Sequence, residues 1–266
     1  GSVSLPRDLI GSETLPLPIY QRCSQIKYTM KPYQQIAIRE CGESLIPIPR
    51  DIFALETPHP YQKLGAPYHL SKADSPYYLR EGVLQQLIIA QNYLQQKYPQ
   101  WKILIFDAYR PVEVQQFMVD YNFIETAKSQ GYSLPVLSEE KKAEILAQVY
   151  QFWAVPSHDR ATPPPHSTGA ALDITLVDEN NQIIEMGSPI DEISPRSYPN
   201  HFANSCQPRE KQYHQNRELL KEIMVEAGFQ QHPNEWWHFC LGDQMWAWLQ
   251  NQATNTNQFI AHYGRY

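Results

Sequence analysis

The segment Ala170-Ala-Leu-Asp-Ile-Thr-Leu-Val177 constrains this chain more than any other. Strand alternation places Ala170, Leu172, Ile174 and Leu176 on one face, all apolar, and Ala171, Asp173, Thr175 and Val177 on the other. The first face needs cover, which helices are expected to supply. The second carries a carboxylate in mid-strand, where it disfavours strand formation and is costly to bury. Asp173 therefore requires a cation, a donor network or a metal. His166 stands seven residues upstream, and Gly169 between them permits a sharp turn into the strand. An imidazole at the strand mouth and a carboxylate within it can converge on one ion. On this spacing alone the plainer account, a loop histidine and a carboxylate accepting backbone N–H bonds, serves slightly better.

The remaining periodicities describe what surrounds that strand. Over residues 78–98 the apolar positions Leu84, Leu87, Ile88, Ala90, Tyr93 and Leu94 recur at helical spacing, and Pro99 closes the segment. Lys102-Ile-Leu-Ile-Phe106 has strand character. The following Asp107-Ala-Tyr-Arg-Pro111 reads as a strand-to-helix junction, with Pro111 suited to a first helical turn. A helix is predicted through Phe117, Met118, Tyr121 and Ile124. Another starts at the N-cap Ser138, with Glu139 and Glu140 in its first turn and Ile145, Leu146, Val149, Tyr150 and Trp153 turned inward. A fourth covers residues 210–227, with Leu220, Ile223, Met224 and Ala227 in one stripe and Gly228 suited to the C-terminal cap. Residues 237–241 are strand-like. Helices and strands do not alternate regularly, which predicts an α+β fold, a small mostly antiparallel sheet packed by helices, rather than a doubly wound sheet.

A chain of 266 residues is long enough for one substantial core. With 42% hydrophobic and 19% charged residues it is not a disordered linker protein. No apolar run approaches the roughly 18 residues of a membrane helix, so no membrane span is expected. The net charge is −6 with Lys and Arg scattered, which lacks the positive footprint that binding a phosphate backbone requires and argues against a nucleic-acid partner. Prolines are concentrated in the first eighty residues and at Pro163-Pro-Pro165. Pieces such as Leu15-Pro-Leu-Pro and Leu45-Ile-Pro-Ile-Pro predict an irregular N-terminal arm over residues 1–75, with short strands such as residues 35–39, packed on a domain of residues 76–266. Cys23, Cys41, Cys206 and Cys240 are too widely spaced for a thiolate zinc knuckle or a redox pair; they allow two disulfides without requiring them.

Asn234-Glu-Trp-Trp-His-Phe239 adds the missing chemistry. In a regular strand Glu235 and His238 point to opposite faces, so both reach one cleft only if the chain turns between them, and Pro233-Asn234 favours such a turn. Each residue alone has an ordinary explanation: a solvated glutamate, core tryptophans, a histidine bonded to a carbonyl. Together, His166, Asp173, His238 and an unligated Glu235 are the parts of a catalytic zinc site, in which three protein ligands leave a position for water and a carboxylate takes its proton. The other histidines, His59, His69, His158, His201, His214, His232 and His262, have no such setting, and His158 in Ser157-His-Asp-Arg160 is the one substitute ligand.

Asp107-Ala-Tyr-Arg-Pro111, His166-Ser-Thr-Gly-Ala-Ala-Leu-Asp-Ile-Thr-Leu176, Met186-Gly-Ser-Pro-Ile-Asp191 and Glu235-Trp-Trp-His238, in this order and spacing, resemble the D-alanyl-D-alanine dipeptidase family, zinc peptidases of the vancomycin-resistance type related to D,D-carboxypeptidases and the hedgehog fold. The resemblance spans roughly residues 78–245 and makes residues 76–266 a catalytic domain. It implies one zinc per chain on His166, Asp173 and His238, Glu235 as general base and then acid, Arg110 on the tetrahedral oxyanion, and Asp191 on the substrate ammonium. The implied partner is a small D-configured dipeptide. D,D-carboxypeptidase action on peptidoglycan stems and a zinc-bearing module without turnover are the alternatives, and the unligated Glu235 speaks against the latter. The compartment stays open between bacterial cytoplasm and periplasm, because Gly1-Ser2 reads as a cloning scar that allows for a removed signal peptide. Oligomeric state is likewise open.

Overall fold

The computed structural model describes residues 30–70, 73 and 75–266. Seven strands occur among them: β1 (Leu45–Pro47), β2 (Ala54–Leu55), β3 (Tyr78–Arg80), β4 (Lys102–Asp107), β5 (Ala171–Val177), β6 (Gln230–Gln231) and β7 (His238–Cys240). The helices are α1 (Pro60–Lys63), α2 (Glu81–Lys97), α3 (Val112–Ser129), α4 (Glu139–Val149), α5 (Pro208–Glu226) and α6 (Gln244–Thr254), with short 3-10 turns between them. Cys23 and the Leu15-Pro-Leu-Pro piece lie outside the described residues; Cys41, Cys206 and Cys240 are free thiols. No helix among the described residues is long and apolar enough to cross a membrane.

The main sheet runs β2-β4-β5-β7-β6, with β2 parallel to β4 and every other pair antiparallel. This is the mixed α+β architecture with a mostly antiparallel sheet that the patterning predicts. Alternation along β5 works as expected: Leu172, Ile174 and Leu176 enter the main core with Leu84, Leu87 and Leu94 of α2 and Leu220, Ile223 and Met224 of α5. The opposite face is buried too, Asp173 and Thr175 included. A second cluster joins Val114, Met118 and Phe123 of α3 to Ile145, Leu146 and Val149 of α4, with Trp153 beyond the helix end. Ser138 caps α4 by accepting from the Lys141 N–H at 3.2 Å. Gly228 follows α5 with φ near +90°, the left-handed region in which a residue lacking Cβ is unstrained.

Two local expectations are corrected. The helix expected from residue 78 starts at Glu81, because Tyr78–Arg80 instead pairs antiparallel with Leu45–Pro47 and a strand pairing outweighs helical propensity there. The strand expected over residues 35–39 is absent: Pro32–Gln35 forms a 3-10 turn, Pro32 suiting its first position, and only an isolated bridge from Ile38 to Ala261 follows. The Gln244 amide donates to the Gln34 and Ile36 carbonyls, so a side chain takes the place of a sheet partner.

Strand register assembles the site. Asp173 lies opposite Asp107 on β4 and opposite His238 on β7, placing three ionisable residues in one row across the sheet. Two carboxylates in facing positions repel unless a cation lies between them.

Candidate metal centre and catalytic cleft

His166 sits in a 3-10 turn, Pro165–Thr168, that ends at Gly169 with φ +72°. The left-handed backbone favours glycine there, and a Cβ on Gly169 would stand 2.3 Å from Leu45 Cδ2, so a larger residue would also have to displace that side chain. His166 Nδ1 donates to the Ala108 carbonyl at 2.7 Å, which assigns the ring proton to Nδ1 and leaves the Nε2 lone pair facing inward. That Nε2 lies 3.3 Å from Asp173 Oδ2 and 3.2 Å from His238 Nδ1. His238 Nδ1 is 3.0 Å from Asp173 Oδ1. The three residues are buried, and one donor atom from each lies within 4.8 Å of the others. His158, the substitute considered from sequence, is exposed and stands outside this cluster.

Glu235 belongs to the loop of residues 232–237 between β6 and β7. The loop is held by the Trp236 N–H on the Ser197 carbonyl and the Ile174 N–H on the Trp237 carbonyl. It turns as the Pro233-Asn234 pair suggests, and Glu235 Oε2 comes within 3.9 Å of His238 Nδ1. Burial first, then the charges of Asp173 and Asp191, hold the Glu235 carboxyl well above the usual range. Asp173 goes the other way: burial alone would raise it, but His166 and His238 pull it far below.

Arg110 is buried rather than a surface ion pair. Its Nε and Nη2 both donate to Asp107 Oδ2, at 2.9 and 2.6 Å, and Nη1 donates to Gln115 Oε1 at 2.9 Å. The Tyr61 and Trp153 rings each lie 5.0 Å from the guanidinium carbon. Nη2 is the nitrogen turned toward the cluster, 3.5 Å from Asp173 Oδ2. Asp191, at φ +65°, accepts from the Tyr61 hydroxyl at 2.6 Å and lines the same cleft as Arg110, Asp173 and Glu235. Burial, then the Asp173 charge, raises its carboxyl to about 7.

Sequence reading left some of this machinery unassigned. Asp107 stood in the Arg-Pro motif without a role, although its three-residue offset from Arg110 at a strand end was a usable signal. Tyr61, Gln115 and Lys31 gave none, and His59 and His232 were set aside. His59 Nε2 lies 3.2 Å from Asp107 Oδ1, and His232 lines the cleft with Nδ1 3.9 Å from Glu235 Oε1. The cleft encloses about 50 Å³, room for on the order of four waters.

Two imidazole nitrogens and a carboxylate suit a divalent cation such as zinc, three protein donors leave a coordination position for water, and a spare carboxylate and a fixed guanidinium stand on either side. That is the chemistry of a metal-dependent hydrolase. The chain belongs to the D-ala-D-ala dipeptidase family of peptidases, whose sequence model matches residues 56–259. It is 51% identical over 242 residues to a D-alanyl-D-alanine dipeptidase of Synechocystis sp., covering 89% of this chain and 97% of that protein. An Enterococcus faecium D-alanyl-D-alanine dipeptidase is 29% identical over 181 residues, 66% of this chain and 77% of its own. Among solved structures, a vancomycin resistance D,D-pentapeptidase VanY in complex with Zn(II) aligns with 79% of this chain and 90% of its own at 17% identity and a TM-score of 0.39.

Proposed function

We propose that this enzyme hydrolyses free D-alanyl-D-alanine to two D-alanines, with one zinc per chain held by His166 Nε2, Asp173 and His238 Nδ1. The observation that carries this reading is the buried convergence of those three donors beside an unligated Glu235. Held there, zinc would supply an acidified water and a Lewis acid for the scissile carbonyl. Glu235 takes the proton of the attacking water and returns it to the leaving amine, and the burial that raises its pKa makes it a stronger proton acceptor than a solvated glutamate. Arg110, aimed by Asp107 and Gln115, offers Nη2 to the developing oxyanion. Asp191, positioned by Tyr61, receives the substrate ammonium. Residues 30–70 pack on the same domain as residues 76–266, a reading supported by β2 pairing with β4 and by Tyr61 reaching Asp191.

The test is incubation of the zinc-loaded protein with free D-alanyl-D-alanine, its N-acetylated form and a pentapeptide stem, with products identified by mass. Cleavage of the free dipeptide alone is expected. Efficient release of D-alanine from the stem overturns the dipeptidase assignment in favour of a D,D-carboxypeptidase.

A further inference from the structure

A free dipeptide carries an ammonium at one end and a carboxylate at the other, and the reading above supplies a partner for the first only. Arg110 and Lys31 are the arginine and lysine among the described residues that line the cleft. Arg110 is engaged by Asp107 and Gln115 and faces Asp173. Lys31 is placed differently. It immediately precedes the 3-10 turn Pro32–Gln35, and its backbone N–H donates to Gln34 Oε1, which fixes the start of that turn. Lys31 lines the catalytic cleft together with Glu235 and His232, and also the adjoining depression formed with Tyr33, Phe152 and Trp248. Burial lowers its pKa and the Glu235 charge opposes that, so the ammonium is partly stripped of water close to the base.

Substrate chemistry gives that position its meaning. The nitrogen that receives the proton from Glu235 is bonded to the α-carbon that carries the terminal carboxylate. A cation beside Glu235 is therefore beside the carboxylate, while Asp191, on the Arg110 side with Tyr61, takes the ammonium at the other end. We infer that Lys31, contributed by the N-terminal arm, receives the terminal carboxylate of the substrate and imposes the requirement for a free C-terminus. This rests on the dipeptidase reading. Lys31 precedes the matched residues 56–259, so the catalytic core borrows this contact from outside them.

Zinc-loaded wild type, Lys31→Met and Lys31→Arg are compared on D-alanyl-D-alanine and on its C-terminal amide, with kcat and KM measured separately across pH and folding followed by thermal midpoint. A desolvated charge-assisted contact predicts that Lys31→Met raises KM for the free acid about tenfold or more, a loss the amide does not share, whatever smaller change in kcat follows from removing a charge near Glu235. It also predicts that wild type disfavours the amide by a similar factor, that Lys31→Met treats both substrates alike, and that Lys31→Arg retains most of the discrimination. Equal losses on acid and amide with a displaced pH profile overturn the inference, because Lys31 then acts only through Glu235. Wild type that does not distinguish acid from amide overturns it without any variant. Wild type that cleaves neither refutes the dipeptidase reading itself, and this inference with it.

Discussion

Asp107 accepts two hydrogen bonds from Arg110 through a single oxygen, Oδ2, while Oδ1 accepts from the Tyr68 hydroxyl at 3.1 Å and lies 3.2 Å from His59 Nε2. Burial would raise the Asp107 carboxyl, but Arg110 and the two neighbouring histidines, His59 and His166, hold it below its ordinary value. A carboxylate with both oxygens occupied cannot swing, so the guanidinium it grips arrives at the cleft already oriented. Preorganisation of this kind avoids reorganisation at the moment charge develops.

Arg110→Lys should therefore keep zinc and lower turnover by about two orders of magnitude, since a point charge cannot span Asp107 and the oxyanion together. Steady-state kinetics alongside metal analysis checks this, and unchanged kinetics would reduce Arg110 to a structural part. Asp107→Ala leaves the buried guanidinium with only Gln115 and the 3.5 Å approach of Asp173, and should cost about 3 kcal/mol, readable from the urea midpoint.

The metal assignment separates ligands from base. His166→Ala and His238→Ala should lose the single zinc, and Asp173→Ala should lose both zinc and turnover. Glu235→Ala should keep zinc and lose several orders of magnitude in kcat. Full zinc occupancy in both histidine variants would remove them from the ligand set, and near-normal turnover of Glu235→Ala would refute its role as base.

Asp191 should set a pH limb. Its carboxyl is raised to about 7, and only its ionised form attracts an ammonium, so kcat/KM for the free dipeptide should fall as pH drops through that value. A bound cation offsets the Asp173 charge that helps raise it, which places the limb at or below 7. Asp191→Asn should lose the limb along with most activity on the free dipeptide, narrowing the preference over the N-acetylated form, worth about 2 kcal/mol in wild type. An N-acetylated substrate cleaved as fast as the free one would remove Asp191 from this role.

Gly169→Ala tests the hinge that carries His166. The added methyl meets Leu45 Cδ2 at 2.3 Å and φ +72° is strained for alanine, so a loss of about 2 kcal/mol or more is expected, measured by chemical denaturation. Wild-type stability would show that β1 yields easily and that the turn does not depend on glycine.

Helical stripes such as Leu84, Leu87 and Leu94, or Leu220, Ile223 and Met224, were legible in the sequence because their burial follows a local period. The one-sided apolarity of β5 was legible for the same reason, and with it the oddity of Asp173. What failed was set by partners far along the chain. Tyr78–Arg80 looked like the start of a helix because nothing local announces that Leu45–Pro47 will pair with it.

The amino-acid sequence by itself determined the chemistry available to this protein: two histidines and an aspartate fit to hold a cation, a spare glutamate, and strands and helices able to bury them. Tertiary structure alone decided their arrangement. The antiparallel register of β5 and β7 sets His238 opposite Asp173, Asp107 pairs with the buried Arg110, and α1 brings Tyr61 to Asp191 across 130 residues. Registers and long-range contacts of this kind are chosen by the free energy of packing whole elements together, to which no short window of sequence has access.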